Sequence, residues 1–481
     1  MADRYNDMQM PDAASERAPL RPRFMLDRDQ IFYSPAFRRL AGKTQLMAAG
    51  QSDVLRTRLT HTLEVSQIAR TIGEALGLDL DLIEAIVLGH DLGHTPFGHV
   101  GERTLHELMT PDPEHPLGNG CPLCRKAEDT PDWMLPFLGF KHNLQGLVVA
   151  MELEKNAAGR GLNLTEYTLY GIQGHTKPQY KPKRMRNHDM LGYYDAFLEK
   201  GCKLDGQWAW SLEAMLAGQA DEIAQLHHDL EDGLFSGLAD PADLARLLEG
   251  LLACCPRDLS AEERYVLDHP AAGDRERFTY LFTRIVMDVL LNKQVEIAAE
   301  QIRLLGGTRS VPVAARNRGV NTKMASLPRE GSPNAGIFTF GDEKSGFGAA
   351  VNALSKHIGS ILGNPQIRDA DAEGGRVIQQ LFRACYADPC WLPDEWIFAF
   401  FGACAGQPDC RSHRQAMTEE KLREQAYEQG MDSVRGIFRD LFRNRNQVTE
   451  REELVLMRTI CNYIATMTDT EARRALTRIR G

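Results

Sequence analysis

An apolar helix that ends in two ligand-type residues is the strongest constraint in this chain. From Asp79 to Leu92, the residues Leu80, Leu82, Ile83, Ile86, Val87 and Leu88 predict a helix buried on most sides. Near its end that helix carries His90 and Asp91 into an apolar setting. A buried imidazole and carboxylate are costly unless something satisfies them. The run from His90 to Glu102 adds His94, His99 and Glu102, so three histidines and two carboxylates fall within thirteen residues. Imidazole nitrogen and carboxylate oxygen are both ligands of divalent transition ions.

Two adjacent residues cannot complete a coordination sphere, so other helices must contribute. His61 opens an amphipathic pattern through Leu63, Val65, Ile68, Ala69, Ile72 and Leu76, with Gly77 as its stop. Arg58 lies three residues before it. Asp221 sits in a long helical pattern over 212–234, whose apolar face is Leu216, Ile223, Leu226 and Leu230. Ligands on separate packed helices suit a site in a helical core. Taken alone, His90-Asp91 reads as a hydrogen-bonded pair at a helix end, and His61 and Asp221 read as N-terminal and surface residues. Their company is what argues for a metal.

The rest of the chain predicts an all-α fold. A polar arm over residues 1–24 precedes a core over 25–304, with a helical pattern from Asp27 through Leu40. Six prolines between Pro111 and Pro136 break any helix, so 110–136 is expected to be an inserted loop. Further helical patterns cover 143–154, 165–172, 244–252 and 278–298. Residues 305–348, rich in Gly, Ser, Pro and Asn, read as a connection in which Ile337-Phe338-Thr339-Phe340 forms a short strand. A C-terminal helical region over 349–481, packed on the core, completes the chain.

Composition narrows the function. Hydrophobic residues at 43% and charged residues at 25% exclude wholesale disorder, collagen and a polytopic membrane protein. The 56 basic against 66 acidic residues leave a formal charge of −10, which argues against a generally basic nucleic-acid coat. No apolar run approaches the roughly 18 residues of a membrane span. The polar start, Met1 to Arg23, lacks a signal-peptide core, so a cytoplasmic protein without membrane partners is expected. Ten cysteines are too sparse for a disulfide scaffold.

An ordered set of motifs carries a family resemblance. It includes Asp27-Arg28-Asp29, Ser34 to Leu40, Lys43-Thr44-Gln45, Arg58 to Val65 and the whole His90 to Glu102 block. It continues with His142 to Gln145, Gly161 to Thr165, Ala220 to Ala224, His228 to Asp232, Tyr463-Ile464-Ala465 and Met467-Thr468-Asp469. Through these residues the chain resembles the HD-domain deoxyguanosinetriphosphate triphosphohydrolase family. The resemblance implies an HD-domain helical core with metal ligands His61, His90, Asp91 and Asp221. It implies hydrolysis of a deoxynucleoside triphosphate, with dGTP first, to the deoxynucleoside and tripolyphosphate by water attack at the α-phosphorus. It makes His99 with Glu102 the catalytic pair and His94 a second candidate. It places His142 near the phosphates or water, Asp229 on the sugar 3′-hydroxyl, and Tyr463 among the substrate contacts. A homo-oligomer under nucleotide control is also a family expectation.

The residues themselves suit that chemistry. His99 and Glu102 stand at i and i+3 and share a helix face, where a carboxylate orients an imidazole for proton transfer. Arg38, Arg39, Lys43, Arg56 and Arg58 gather before the first ligand, and Arg58 is the first choice for phosphate, with Gln45 for sugar or base. Two histidines and two carboxylates accept Mn²⁺ or Mg²⁺ first, with Co²⁺, Ni²⁺ or Fe²⁺ open. Gln225 stands where the family usually has Tyr, which puts sugar selectivity in question. Cys121 and Cys124 form half of a structural Zn²⁺ site, with His115, Cys385, Cys390, Cys404 or Cys410 as other ligands. Lys177, Lys181, Lys183, Arg184 and Arg186 suit a phosphate tail, a regulatory nucleotide or single-stranded nucleic acid. Two rival readings stay open: a deoxynucleoside monophosphate phosphohydrolase, and a nucleotide-sensing or nucleic-acid-regulated protein with weak catalysis.

Overall fold

The computed structural model describes residues 21–45, 56–118, 120–156, 159–175, 203–204, 207–208, 211–270, 274–304, 338–344, 346–405, 407, 410, 418–443 and 447–481. The basic run from Lys177 to Arg186, the arm over 1–20 and most of the 305–348 connection lie outside them. The described chain is all-α, with two two-residue antiparallel ribbons as its only sheets, Lys155–Asn156 with Gly159–Arg160 and Lys203–Leu204 with Gln207–Trp208. In chain order the first helices are α1 (Arg23–Phe32), α2 (Pro35–Arg39), α3 (Arg58–Leu76), α4 (Leu80–Gly89), α5 (Gly98–Leu108), α6 (His142–Val148) and α7 (Glu166–Gly174). Then come α8 (Leu212–Phe235), α9 (Pro241–Cys254), α10 (Ala261–Asp268), α11 (Arg275–Leu304), α12 (Gly346–Leu362) and α13 (Pro365–Ala387). The last are α14 (Asp394–Ala405), α15 (Glu419–Gln429), α16 (Met431–Arg443), α17 (Glu450–Ala465) and α18 (Asp469–Arg480).

Two compact units emerge among the described residues, and they divide the chain differently from the sequence reading. One is drawn from 21–92, 146–175 and 203–370, the other from 93–145 and 371–481. The residues around the Pro-rich insertion therefore group with the C-terminal helices rather than with the first core. The cause is apolar packing. Leu105, Leu108, Leu123, Met134 and Phe140 share one core cluster with Ile378, Leu381, Leu454 and Ile460. Within that unit Phe400, Phe401, Phe438 and Phe442 form an edge-on aromatic cluster, with ring centroids 5.2–5.8 Å apart.

In the first unit, local signals set the helices that carry the expected ligands. Thr57 caps α3 by accepting from Thr60 N–H, and the Thr60 hydroxyl accepts in return from Thr57 N–H. Gly77 ends α3 at φ 66°, a conformation that costs other residues a steric clash. Asp79 caps α4 by accepting from Asp81 and Leu82. Helices α4 and α7 approach closely because glycine faces isoleucine in both directions. A Cβ at Gly89 would stand 2.5 Å from Ile172 Cδ1, and one at Gly171 would stand 2.5 Å from Ile86. Buried Asp27 ties α1 to the start of α7, accepting from Thr165 N–H at 2.9 Å and from the Thr168 hydroxyl at 2.7 Å. Burial pushes its carboxyl up against the pull of those bonds.

Several sequence expectations need correction. Arg23 and Phe24 belong to α1, not to a loose arm. The Asp27–Leu40 pattern is two helices, because Ser34 caps a new one with Pro35 at its first position. Leu63 is 45% exposed, so it is not part of the buried face of α3. The helix after His142 passes into a π-helical turn, Val149–Leu153, before it ends. Phe338–Phe340 form no strand; Phe338 instead fills the first core. The insertion holds two short 3₁₀ segments, Ala127–Asp129 and Asp132–Phe137.

Candidate metal centre and histidine cluster

The first unit gathers the four expected ligands. His61 comes from the first turn of α3, His90 caps the end of α4, Asp91 follows it, and Asp221 projects from α8. His61 Nε2 stands 2.9 Å from Asp221 Oδ1. His90 Nε2 stands 3.4 Å from Asp91 Oδ1 and 3.8 Å from Asp221 Oδ1. His61 Nε2 is 4.0 Å from Asp91 Oδ2. Both imidazoles and Asp91 are at most 3% exposed.

These residues fit a divalent ion. His90 donates through Nδ1 to Val87 O at 2.6 Å, which leaves Nε2 as the inward atom. That atom is buried and has no hydrogen-bond partner among the described residues. Two carboxylates face two imidazoles, a set whose charge a divalent cation offsets. Burial pushes the Asp221 carboxyl up, but the His61 hydrogen bond and the nearby His90 outweigh that and hold it well below the usual range.

Arg58 is the second unsatisfied group. Its side chain is 2% exposed, and Nη1 donates to Asp91 Oδ2 at 3.0 Å. Its Nε and Nη2 are buried without partners among the described residues. A buried guanidinium left with unpaired donors is expensive, so this geometry calls for an anion. The other arginines of the sequence cluster are engaged. Arg39 pairs with Glu154, Arg38 donates to Tyr33 O, and Arg56 binds Glu64, Glu231 and Asp232.

The sugar-side candidates lie further along α8 and near α3. Asp229 is 3% exposed, and burial pushes its carboxyl up to about 7. Gln225, half-buried, stands one turn after Asp221. Gln45 Oε1 is buried without a partner among the described residues.

The second unit holds the other candidate histidines, His94, His99 and His142. His94 and His142 stack with ring centroids 3.8 Å apart, and His99 stands edge-on to His94 at 5.7 Å. Glu102 lies beneath them, 1% exposed. Its Oε1 accepts from Lys141 Nζ at 2.6 Å, while Oε2 accepts from the His142 backbone N–H at 3.1 Å and from His142 Nδ1. Burial pushes the Glu102 carboxyl up, but His142, Lys141 and His94 beside it hold it well below the usual range. His94, Glu102 and His142 are thus brought together, and His99 occupies an exposed position at the start of α5. The turn before α5 is strained: Phe97 sits at φ 61°. Its N–H donates to Asp469 Oδ1 at 2.9 Å, which holds the turn in place. Tyr463 packs on Trp396, with ring centroids 5.7 Å apart, and its hydroxyl bonds Arg478; its described contacts do not include the histidine cluster.

Two residues escaped the sequence reading. His175 ends α7 as His90 ends α4, donating through Nδ1 to the carbonyl three residues back, and its ring stands edge-on to His90 at 5.1 Å. His228 reaches His61 from α8. The family resemblance included His228 in the stretch His228 to Asp232, but gave it no role.

The CxxC pair acquires no cage. Among the described residues no group of three candidate ligands includes Cys121 or Cys124. Burial pushes the Cys121 thiol up to about 12, His115 Nε2 donates to Leu108 O, and Cys124 Sγ lies 3.2 Å from Pro113 O.

Comparison with known proteins agrees with this geometry. The HD domain family model matches residues 58–118, the stretch that contains His61, His90 and Asp91. An HD domain implies a divalent metal, and the His/Asp groups here could hold one. A deoxyguanosinetriphosphate triphosphohydrolase-like protein of Cereibacter sphaeroides is 38% identical over 308 residues, covering 62% of this chain and 71% of that protein. One of the same description from Ralstonia nicotianae is 32% identical over 416 residues, covering 84% of this chain and 90% of that protein. Another from Rhizobium etli is 32% identical over 400 residues, covering 82% and 84%. None of the described helices is long and apolar enough to cross a membrane. On these grounds the chain belongs to the family of deoxyguanosinetriphosphate triphosphohydrolase-like proteins.

Proposed function

We propose that this chain hydrolyses deoxynucleoside triphosphates, dGTP first, to the deoxynucleoside and tripolyphosphate. The observation that carries this reading is the pairing of a buried, half-satisfied Arg58 with the orphaned His90 Nε2 in one site. That combination asks for a metal and an anion together, which a nucleotide phosphate with its cation supplies.

His61, His90, Asp91 and Asp221 would hold the ion, with Mn²⁺ or Mg²⁺ preferred. When bound, such an ion polarises a phosphoryl oxygen and lowers the pKa of a water. Arg58 takes a phosphate oxygen on its free N–H groups and stays oriented by Asp91. Asp229 accepts the sugar 3′-hydroxyl. Water attacks the α-phosphorus, the bond to the 5′-oxygen breaks, and that oxygen leaves as a hydroxyl once protonated. His99, with His94 and His142 as its neighbours, moves the protons. Glu102 remains ionised near neutral pH, so it anchors Lys141 and His142 rather than acting as an acid. The homo-oligomer expected from the resemblance and the cytoplasmic setting expected from the sequence belong to this reading, and light scattering measures the first.

The test is a product assay. The protein with Mn²⁺ or Mg²⁺ receives each dNTP and rNTP, singly and in mixtures, with Asp91→Ala as control. Tripolyphosphate that disappears in the variant is the expected result, and the rNTP arms show what Gln225 admits. Orthophosphate released from a deoxynucleoside monophosphate, with no tripolyphosphate from any dNTP, would replace this reading with that of a monoesterase.

A further inference from the structure

One helix holds the His61 ring from both sides. Asp221 on α8 meets Nε2 at 2.9 Å, and His228, seven residues later on the same helix, meets Nδ1 through its own Nε2 at 2.9 Å. The two rings stand edge to face, with centroids 4.9 Å apart at 88°. His228 is 0% exposed. An imidazole placed there forgoes all contact with water, which costs free energy unless a partner repays it. The partner it meets is the ring that would bind the metal.

Two imidazole nitrogens at hydrogen-bond distance share one proton, and the metal decides which ring keeps it. A metal ligand must offer a lone pair, so His61 Nε2 has to be bare and its proton has to sit on Nδ1. His61 Nδ1–H then donates to His228 Nε2. The His228 proton moves to its own Nδ1, which lies 3.2 Å from Asp229 Oδ1, within electrostatic reach of that carboxylate. The proton between His61 and His228 is thereby assigned a direction. An outer partner that fixes tautomer and ring orientation is the usual companion of a ligating histidine, though it is more often a carboxylate or a carbonyl.

We propose that His228 is a positioning residue that holds His61 in its metal-binding tautomer and orientation. This rests on the reading of His61 as a metal ligand. A substitution that keeps an acceptor preserves the device, and one that removes it does not.

The test reads metal binding alone, by the electron paramagnetic resonance signal of free Mn²⁺ during titration of the full chain without nucleotide. His228→Leu is expected to bind Mn²⁺ about 10–100-fold more weakly than the unaltered protein. His228→Gln, whose amide oxygen still accepts, is expected to stay within about 3-fold of it, a rescue that a merely space-filling role would not produce. Leucine binding as tightly as histidine, or glutamine as weakly as leucine, overturns the proposal. Should the leucine variant not fold, His228→Ala with added imidazole takes its place. Restored affinity supports the proposal, and indifference to imidazole overturns it. Asp221→Asn separates the two levels of the argument. If it binds Mn²⁺ as well as the unaltered protein, or if the unaltered protein binds none, the metal reading fails and takes this inference with it.

Discussion

The two units build their polar clusters by opposite means. In the first, each proposed ligand stands on or directly after a helix of ten residues or more, and the helices are fixed by caps and by apolar contact. In the second, His94 and His99 flank a strained turn, and His142 opens a seven-residue helix that passes into a π-helical turn. The first arrangement takes its precision from regular backbone. The second takes it from tertiary hydrogen bonds that reach across long stretches of chain, Glu102 to His142 and Phe97 to Asp469. Binding a metal requires atoms that do not move, and moving protons requires groups that can. The contrast therefore tracks the proposed division of labour.

The sharpest way to break this comparison is to strike each unit in turn. Asp221→Ala is expected to lose both Mn²⁺ binding and turnover, the latter by at least about 10³-fold. His99→Ala is expected to keep Mn²⁺ affinity within about 3-fold while kcat falls by about 10²–10⁴. Loss of metal binding in the His99 variant would end the division of labour. Glu102→Gln comes next. It strands Lys141 and a buried His142, so thermal unfolding should register about 3 kcal/mol of destabilisation and kcat should fall by about 10²-fold. Gly171→Ala forces a methyl into Ile86, which is expected to cost about 1–3 kcal/mol in a denaturant titration. Asp469→Ala leaves the Phe97 N–H without its acceptor, at about 1–2 kcal/mol, and its effect on kcat should exceed its effect on KM.

The smallest effect concerns pH. Burial raises the Asp229 carboxyl to about 7, against about 4 when unfolded. Between those values the folded protein binds more protons than the unfolded chain, so stability from this group falls as pH rises from about 4 to 7. Asp232, raised to about 6, acts in the same sense. Asp229→Asn should flatten that slope when melting is followed in chelator. An unchanged slope would show that the carboxyl titrates elsewhere.

Much of the first unit was legible because its determinants are local. Gly77 as a stop, the helical pattern from Thr165 and the apolar period of 212–234 each act within a few residues, and each reappears in the fold, with Thr165 as the cap of α7 rather than its first residue. The gathering of His61, His90, Asp91 and Asp221 followed from motif resemblance rather than from spacing. The second unit was less legible because its partners are distant. Spacing ties Glu102 to His99 three residues away, whereas the fold also brings it His142, forty residues on in the chain. Nothing in a single sequence reports that pairing. His228 was hidden differently: its neighbour Asp229 carried the functional reading, and only the crossing of α3 and α8 shows what the histidine touches.

The glycine–isoleucine contacts between α4 and α7 constrain how this chain can change over time. Gly89 precedes the proposed ligand His90, and Gly171 lies one turn before His175, so helix spacing and site spacing are the same quantity. A side chain at Gly89 fits only after Ile172 has become smaller, and one at Gly171 fits only after Ile86 has. Each pair behaves as a lock with two keys that must be turned in a fixed order, and drift through single substitutions meets its barrier at residues that bear no functional group at all.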